Sequence, residues 1–340
     1  MARHKTIAAL LTGLMLCTGF LLSSPAATAD GLTDPGLAPY VTALKGKKVV
    51  FLPVAMGFDL AEGWTSGVRQ MVKANGGSFA IRDPNWSTTA EAQALTELIS
   101  EKPDLIIVHN PDVQSLARLN EKAEKAGIYV IQVNMRSSFS TDAYVGANWQ
   151  KVGEAEANAL VRKCGAGTSG KVAIVQGVLT AATSVYQIGP ILKVFSQHPE
   201  IKVVSNQAAD WDASKAKALT TTVLQQNPDL CGLISFWDGM AVGSSAAIRE
   251  AGKTGKVYVV TNGGGEQMAC DNLESGNFDE YVSFDVPRQA SDMNDAIKML
   301  FQSKEPAGSV KFSLYTPNKI LTKADLKPGS CWSMKNLPKS

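Results

Sequence analysis

The chain has 340 residues, of which 45% are apolar and 19% are charged, and this composition excludes a disordered or a fibrous protein. The length is sufficient for two α/β domains. The formal net charge of +2 comes from the N-terminal segment, because residues 1–29 contain Arg3 and Lys5 and no carboxylate. The remaining chain is formally neutral, which argues against binding to nucleic acid.

The N-terminal segment has the pattern of a secretory signal peptide. A basic start precedes an apolar stretch over residues 7–22, and the small residues at 27–29 suit cleavage before Asp30. A membrane anchor is the alternative interpretation, but Gly13 and two threonines interrupt the apolar stretch. The sequence therefore predicts a soluble periplasmic protein from which residues 1–29 are removed.

From Lys47 onward, segments with strand patterns alternate with segments of helical spacing. In the first half, the predicted strands are 47–55, 77–83, 103–110 and 128–134, and the predicted helices are 60–74, 88–101 and 113–126. In the second half, the predicted strands are 170–177, 201–207, 231–238, 256–262 and 281–287, and the predicted helices are 186–197, 213–226, 240–251 and 288–303. This alternation predicts parallel sheets that are covered by helices on both faces.

Two segments of the chain are nearly repeated. PDLIIVHNPD at 103–112 is similar to PDLCGLISFWD at 228–238, and each has the pattern of a buried parallel strand that ends in polar residues. The order of elements around these segments is the same in both halves. The sequence therefore predicts two doubly wound α/β domains, which would enclose a cleft at the carboxyl ends of their strands.

Four cysteines lie outside the N-terminal segment, and none has the C-x-x-C spacing of a metal site. An even number in an exported protein favours disulfides. Cys164 and Cys231 precede the first and third strands of the second domain, which are neighbours in the common doubly wound order, so we expect them to pair. The C-terminal tail is expected to fold back and bring Cys331 to Cys270. The two other connectivities and free buried thiols remain alternatives.

The motifs of common enzymes and cofactor sites are absent from the sequence. The stretch TNGGGEQ at 261–267 lacks the lysine of a phosphate-binding loop, and neither a G-x-S-x-G nor an H-E-x-x-H motif occurs. We expect no catalytic residue, no cofactor and no metal ion. His109 follows a strand, but strand alternation turns it away from Asn110, so it is expected to pack beneath a helix. Asp238 and Asp285 are an alternative acid and base pair, although ligand hydrogen bonding is their expected use.

Aromatic and polar side chains occur together at the predicted strand ends. Sugars and polyols present apolar faces that stack on aromatic rings, and hydroxyl groups that pair with carboxylates and amides. Trp211 and Trp237 each lie beside an aspartate at a turn, which disfavours the alternative that they are core residues. The predicted ligand-binding residues are Phe58, Asp59, Asn110, Asn134, Tyr186, Trp211, Trp237, Asp238, Asn262 and Asp285.

Four segments of the sequence resemble a known family. They are Asn110-Pro111, VGANWQKVGEAEA at 145–157, QAADWDASKA at 207–216 and WDGMAVGSSAAI at 237–248. Together they resemble the ribose- and galactose-binding group of the type I periplasmic binding proteins, and the resemblance covers about residues 47–320. It implies an α/β fold of two doubly wound parallel-sheet domains joined by a three-segment hinge.

The resemblance also implies how the chain is divided and what it does. The N-terminal domain would comprise 46–140 with 286–311, and the C-terminal domain 141–285 with 312–340. The hinge would lie near 136–147, 284–287 and 312–318. Such a protein is a monomer that closes around a small ligand and delivers it to a membrane permease driven by a cytoplasmic ATPase.

The resemblance places one ligand contact at Asp59 or Leu60 and another at Asn262 or Gly263. Several of the implied contacts differ from the sugar-binding pattern. Asn134 and Met135 stand where ribose binders have an Asp-Arg pair, Tyr186 replaces an arginine, and Trp237 replaces an asparagine. The site becomes more aromatic and less cationic, since the fork-shaped donors of arginine are lost. We expect a monosaccharide or polyol as the ligand. A quaternary amine or a small aromatic compound is one alternative, and a sensory protein that presents its ligand to a receptor is another.

Overall fold

Two six-stranded sheets, each covered by helices, form the centre of the structure. It is a computed structural model that describes residues 35–337. The signal peptide predicted at 1–29 lies outside the described residues. Between residues 35 and 337, no helix has the length and the apolar character that crossing a membrane requires.

Helices and strands alternate along most of the chain. The elements of the first half are α1 (Leu37–Thr42), β1 (Lys48–Leu52), α2 (Asp59–Ala74), β2 (Ser78–Ile81), α3 (Thr88–Glu101), β3 (Leu105–Val108), α4 (Ala117–Lys125), β4 (Tyr129–Val133) and β5 (Ala143–Ala147). The second half continues with α5 (Trp149–Cys164), β6 (Lys171–Gln176), α6 (Ala182–Ser196), β7 (Lys202–Ala208), α7 (Ala213–Gln226), β8 (Gly232–Ser235), α8 (Asp238–Glu250), β9 (Tyr258–Gly263), α9 (Gln267–Ser275) and β10 (Glu280–Ser283). The last elements are α10 (Val286–Ser303), β11 (Phe312–Thr316) and β12 (Lys319–Thr322). Each predicted strand and helix is present, with its bounds shifted by a few residues.

The two sheets have the same arrangement of strands. The first sheet has the order β11-β5-β4-β3-β1-β2, and the second has the order β12-β10-β9-β8-β6-β7. Among the described strands, all neighbours are parallel except β10 and β12. The first strand of each half lies between the second and the third, as in other doubly wound sheets. The prediction of two doubly wound parallel-sheet domains is confirmed.

Both faces of the first sheet are buried, which explains its continuous apolar strands. All four residues of β3 are buried. Helices α2 and α10 pack on one face of this sheet, and α3 and α4 pack on the other.

Helix α3 begins after Ser87, whose side chain accepts a hydrogen bond from the N–H of Ala90, and α7 begins in the same way after Asp212. The loops before α3 and α7 therefore occupy equivalent places at the carboxyl ends of the two sheets.

The chain crosses three times between lobe 1, built on the first sheet, and lobe 2, built on the second. The crossings lie at Asn148, at residues 284–285 and at residues 317–318. Strands β5 and β11 pair within the first sheet, whereas the boundaries expected at 140 and 312 assigned them to the second domain. Strand β5 covers the edge of β4, and β11 in turn covers the edge of β5.

Two disulfides join the cysteines in the expected pairs. Cys164, at the end of α5, is bonded to Cys231 before β8, with Cα atoms 5.7 Å apart. Cys270, in α9, is bonded to Cys331 in the C-terminal tail, with Cα atoms 6.1 Å apart. Both separations are ordinary for disulfides, and the predicted connectivity is confirmed.

Candidate functional site

A cavity lies between the lobes at the carboxyl ends of the strands. It contains about 470 Å³ of empty space, a figure that includes open solvent at its mouth. Both lobes contribute to its wall. The lining residues are Val54, Phe58, Leu60, Trp86, His109, Asn134, Met135, Trp149, Thr183, Gln187, Trp211, Phe236, Trp237, Asn262 and Phe284.

The lobes touch each other beside the cavity. The N–H of Val113 in lobe 1 donates a hydrogen bond to the carbonyl oxygen of Thr180 in lobe 2 over 3.1 Å. Val54 and Met135 of lobe 1 belong to the same buried apolar cluster as Ala181 of lobe 2. The lobes are therefore closed over the cavity in this structure.

Four aromatic side chains form one wall of the cavity. The ring of Phe58 in lobe 1 lies 5.2 Å from that of Trp86 and 5.9 Å from that of Trp237 in lobe 2. The ring of Trp211 lies 6.3 Å from that of Trp237, and these two rings meet edge to face. The aromatic wall therefore continues from one lobe to the other.

The three tryptophans of this wall have unusual backbone conformations. The φ angle is 66° at Trp86, 64° at Trp211 and 57° at Trp237. A bulky residue in this left-handed region costs of order 1–3 kcal/mol, and such strain is concentrated at functional sites. Trp86 and Trp211 occupy equivalent loops, because each directly precedes a helix cap, Ser87 or Asp212.

Four of the lining side chains carry a buried polar atom that has no hydrogen-bond partner in the described part of the chain. The atoms are His109 Nδ1, Thr183 Oγ1, Gln187 Oε1 and Trp237 Nε1. Buried polar atoms are otherwise nearly always paired, and an unpaired one costs about 1–3 kcal/mol. Because all four residues line the cavity, these atoms are candidate hydrogen-bonding groups for a ligand.

Three amide side chains at the cavity are held by buried partners. Glu156 on α5 accepts hydrogen bonds from Asn262 Nδ2 over 2.7 Å and from Gln187 Nε2 over 2.5 Å. Asn134 is held through its oxygen and not its nitrogen, because its Oδ1 accepts a hydrogen bond from Gln289 Nε2 over 3.2 Å. The cavity therefore combines amide oxygens from lobe 2 with an amide nitrogen from lobe 1.

The wall of the cavity carries no formal charge. None of its lining residues is a carboxylate, and within residues 35–337 no cluster of three or more His, Cys, Asp or Glu could hold a metal ion. His109 is buried with its ring 5.0 Å from that of Trp64, and burial lowers the pKa of His109 to about 3. His109 is therefore neutral at physiological pH, and the cavity suits an uncharged ligand.

The family of the chain follows from a match that covers most of it. Residues 49–305 match the family model of the periplasmic binding protein domain. The chain belongs to the periplasmic binding protein family. The resemblance found in the sequence is confirmed, and relatives of this family are the solute-binding proteins of transporters.

Named relatives of this periplasmic binding protein bind sugars or polyols. It is 34% identical over 151 residues to the D-allose-binding periplasmic protein of Escherichia coli strain K12, and this match covers 42% of the chain and 48% of the relative, about half its length. It is 25% identical over 262 residues to the xylitol-binding protein of Mycolicibacterium smegmatis, which covers 76% and 73% of the two proteins. A solved structure of an ABC transporter periplasmic solute-binding protein from Actinobacillus succinogenes, with bound D-allose, has a TM-score of 0.72 and 25% identity, over 82% of this chain and 98% of that one.

The structure brings half of the ten predicted ligand-binding residues to the cavity. They are Phe58, Asn134, Trp211, Trp237 and Asn262. All of them lie near the carboxyl end of a strand or just before the next helix. The predicted residues outside the lining are Asp59, Asn110, Tyr186, Asp238 and Asp285.

Asn110 was predicted to face the cavity, but it lies outside the lining, and His109 lines the cavity in its place. Asn110 is fully buried, and its Nδ2 donates to Gln132 Oε1 and to the carbonyl oxygen of Met135, each over 2.8 Å. Its Oδ1 accepts from Asn120 Nδ2 over 2.9 Å. Strand alternation separates the two residues as predicted, but His109 and not Asn110 lines the cavity, and His109 also packs beneath α2 against Trp64, as expected.

Asp59 and Asp238 lie at the boundary between the lobes. Asp238 Oδ2 accepts a hydrogen bond from the Tyr281 hydroxyl over 2.6 Å, while Asp59 Oδ2 is buried without a partner among the described residues. Burial and the neighbouring Asp238 raise the pKa of Asp59 well above its ordinary range, and burial raises the pKa of Asp238 to about 6. Asp285 caps α10 and forms an ion pair with Lys319. These carboxylates connect structural elements around the site.

Helix α6 presents different residues to the cavity than the sequence predicted. Tyr186 lies in a separate groove with Arg136 and Tyr144. Its neighbour Gln187 lines the cavity together with Thr183, which is one turn earlier. Consecutive helical residues point about 100° apart, so an error of one residue changes the face. The spacing of Thr183 and Gln187 was visible in the sequence, but the helix was predicted to begin only at 186.

Trp86 is the aromatic residue of the wall that the sequence prediction omitted. The pattern of a polar residue, a tryptophan and a helix cap occurs at 85–87 and again at 210–212, at equivalent places in the two halves. This repeat is the signal that identifies Trp86. The other omitted lining residues are mostly apolar, and apolar residues beside a strand are equally expected in a core. The omitted apolar residues are Val54, Met135, Trp149, Phe236 and Phe284, whereas Leu60 was the alternative to Asp59.

Proposed function

We propose that this periplasmic binding protein binds a monosaccharide or a polyol in the cavity between its lobes. The observation that carries the proposal is the group of four unpaired polar atoms, on His109, Thr183, Gln187 and Trp237, beside an aromatic wall. A polyhydroxylated ligand matches both the unpaired polar atoms and the aromatic wall. Its hydroxyl groups donate and accept hydrogen bonds, and its C–H faces pack on aromatic rings.

The composition of the wall argues against a quaternary amine. Aromatic rings alone can hold such a cation, but its ammonium group has neither a donor nor an acceptor, and choline adds only one hydroxyl group. Most of the four unpaired atoms would remain unsatisfied, at about 1–3 kcal/mol each. None of the lining residues is acidic, so the cavity also lacks a counter-charge. A neutral polyhydroxylated ligand is therefore the better match.

The proposed role is delivery of this ligand to an ABC importer in the inner membrane. Support comes from the named relatives, which include a D-allose-binding periplasmic protein and an ABC transporter solute-binding protein. We infer that the protein is exported, loses residues 1–29 and acts as a monomer that meets a permease and its ATPase. It binds its ligand and does not transform it.

A thermal-shift screen tests the proposal. The mature protein, residues 30–340, is heated with D-allose, D-ribose, xylitol or choline. A ligand that binds the folded state at about 100 times its dissociation constant adds about 2.7 kcal/mol to the free energy of unfolding. We expect a raised melting temperature with at least one sugar or polyol and none with choline.

Two variants show whether the effect comes from the cavity. Trp237→Ala removes the ring that joins the walls of the two lobes, so it is expected to abolish the shift. Tyr40→Ala is the control, because Tyr40 is exposed on α1 and lies outside the cavity. A shift by choline alone, or a sugar shift that survives Trp237→Ala unchanged, would contradict the proposal.

A further inference from the structure

A buried carboxylate lies behind two of the lining amides. Glu156 is fully buried and is not part of the lining, yet both of its oxygens accept a hydrogen bond from a lining amide. Gly153, one turn earlier on α5, allows α6 to approach closely: a Cβ there would lie 2.4 Å from the carbonyl oxygen of Gln187. The close contact of the two helices holds the Gln187 side chain against Glu156.

Glu156 has no ion-pair partner in the described part of the chain. On α6, Tyr186 lies in the separate groove and Lys193 is exposed. The titratable side chains on the strands packed against α5 are bonded elsewhere, namely Lys171 to Asp229, Tyr258 to Glu280, and Tyr281 to Asp238. The surroundings of the carboxyl group are therefore set by the two amides.

We propose that Glu156 is a positioning residue for the ligand site: it determines which atom of Gln187 and of Asn262, oxygen or nitrogen, faces the ligand. The inference rests on the proposed function, since it concerns the same cavity. In the structure both amide nitrogens donate to Glu156, which requires a carboxylate that accepts twice. Both amide oxygens then remain for the ligand, and Gln187 Oε1 has no other partner among the described residues.

A proton on Glu156 changes this arrangement. A carboxylic acid donates through its O–H, so one of the two amides must turn its oxygen toward Glu156 and its NH₂ group toward the cavity. Burial raises the pKa of Glu156 to about 8, against the opposing effect of the hydrogen bonds from Asn262 and Gln187. The site therefore offers two acceptors above about pH 8, and one acceptor with one donor below it.

This change selects among ligands by the hydrogen bonds they can make. A hydroxyl group can donate or accept, so a polyol fits both arrangements, but with different strength at each position. A carboxylate on the ligand cannot donate, so a sugar acid is disfavoured by two amide oxygens. The ligand class implied at this end of the cavity is a neutral polyol with two hydroxyl groups that reach lobe 2.

The test is the dissociation constant as a function of pH. Calorimetric titrations with D-allose, D-ribose and xylitol are made from about pH 6.5 to about pH 9, on the wild type and on Glu156→Gln. A glutamine at this position donates one hydrogen bond and accepts one at every pH, as the protonated glutamate does. We expect the wild-type affinity to change by roughly fivefold around pH 8, which corresponds to one ordinary hydrogen bond, and the variant to show no such change.

Glu91 provides a matched control. It is buried in α3 of lobe 1, away from the cavity, and burial raises its pKa to about 9. Glu91→Gln therefore removes another buried carboxyl group with a raised pKa, and this variant is expected to keep the wild-type pH profile of binding. A flat wild-type profile, or one that persists in Glu156→Gln, would overturn the inference.

A measurement without ligand separates this inference from the proposed function. The side-chain amide signals of Gln187 and Asn262 are followed by NMR in the ligand-free wild type, together with the carboxyl carbon of Glu156. We expect all three to change together with a midpoint near pH 8. If no probe binds, the proposed function fails, while this titration still decides the role of Glu156. Amide signals that do not change together with the carboxyl signal would overturn that role. The experiment uses the wild type alone, so it does not depend on the folding of a variant.

Discussion

Trp237 contributes to the site through both its ring and its indole nitrogen. The ring bridges Phe58 of lobe 1 and Trp211 of lobe 2, and Nε1 is buried without a partner among the described residues. Its backbone has a φ of 57°, which is strained for a bulky side chain. A costly conformation and an unpaired donor at one residue indicate a position that is shaped for the ligand.

Trp237→Phe separates these two contributions. The variant keeps an aromatic ring and removes the donor, so the affinity for the best-binding sugar is expected to fall by roughly 2- to 10-fold, the loss of one hydrogen bond. The free energy of unfolding of the ligand-free protein is not expected to fall through loss of Nε1, because this atom makes no hydrogen bond within the described part of the chain. Calorimetry and thermal unfolding measure the two effects. An unchanged affinity would show that Nε1 does not contact the ligand.

The pH dependence of stability gives a second prediction for Glu156. Its folded-state pKa of about 8 lies above the ordinary glutamate value, so between about pH 4.5 and pH 8 the folded protein binds a proton that the unfolded chain releases. The free energy of unfolding contributed by this group therefore falls as the pH rises through that range, by about 1 kcal/mol for each pH unit. Urea unfolding of the wild type and of Glu156→Gln at several pH values measures the difference.

Other buried carboxyls do not obscure this comparison. Glu91 and Asp238 also have raised pKa values, but they are present in both proteins. The difference between the two unfolding curves therefore isolates Glu156. A difference that does not depend on pH would mean that Glu156 titrates in its ordinary range.

At the scale of elements, the end of β6 determines where the Trp211 ring lies. Gly177 follows this strand, and a Cβ there would lie 2.0–2.2 Å from three atoms of the Trp211 ring. Gly177→Ala must therefore displace the ring, because a rigid indole cannot yield by a small rotation. We expect the sugar affinity to fall by roughly 2- to 10-fold, the loss of an aromatic contact.

A double-variant cycle tests whether the effect passes through Trp211. In Trp211→Ala the ring is absent, so adding Gly177→Ala is expected to cause little further loss of affinity. Additive losses in the double variant would show that Gly177 acts by another route. Both affinities are measured by calorimetry with the same sugar.

Elements with a strong local pattern were predictable from the sequence, and those defined by long-range pairing were not. β3 is a continuous apolar run between turn signals, and it was found within a few residues. β11 alternates between half-buried and exposed residues at the sheet edge, and the same residues were assigned to the hinge. β5 is a short segment whose partner, β4, is decided by tertiary structure. Strand order, by contrast, correctly predicted the disulfide between Cys164 and Cys231.

At the scale of the whole molecule, five of the fifteen lining residues could be predicted because strand ends converge on one cleft. Trp211, Trp237 and Asn262 follow directly from that rule. Gln187 depends on the exact start of a helix, which sequence patterns locate only within a few residues. Glu156 lies in the segment 145–157 that carries the family resemblance, but nothing in the sequence indicates that the fold buries it behind two amides.

The two lobes together form the site, so ligand binding and closure are coupled. The aromatic wall and the contact of Val113 with Thr180 both cross the boundary between the lobes. Three short crossings connect the lobes and provide the hinge. A ligand that contacts both lobes stabilises the closed state by its difference in affinity for the two states. The two lobes are therefore expected to be open when no ligand is bound.

The most direct measurement is a crystal structure of the mature protein with the sugar or polyol that gives the largest thermal shift. We predict one molecule of ligand between the lobes, packed against Trp237 and hydrogen-bonded to at least two of the four unpaired atoms, on His109, Thr183, Gln187 and Trp237. A ligand bound outside this cavity, or bound within it while these atoms stay unpaired, would contradict the account.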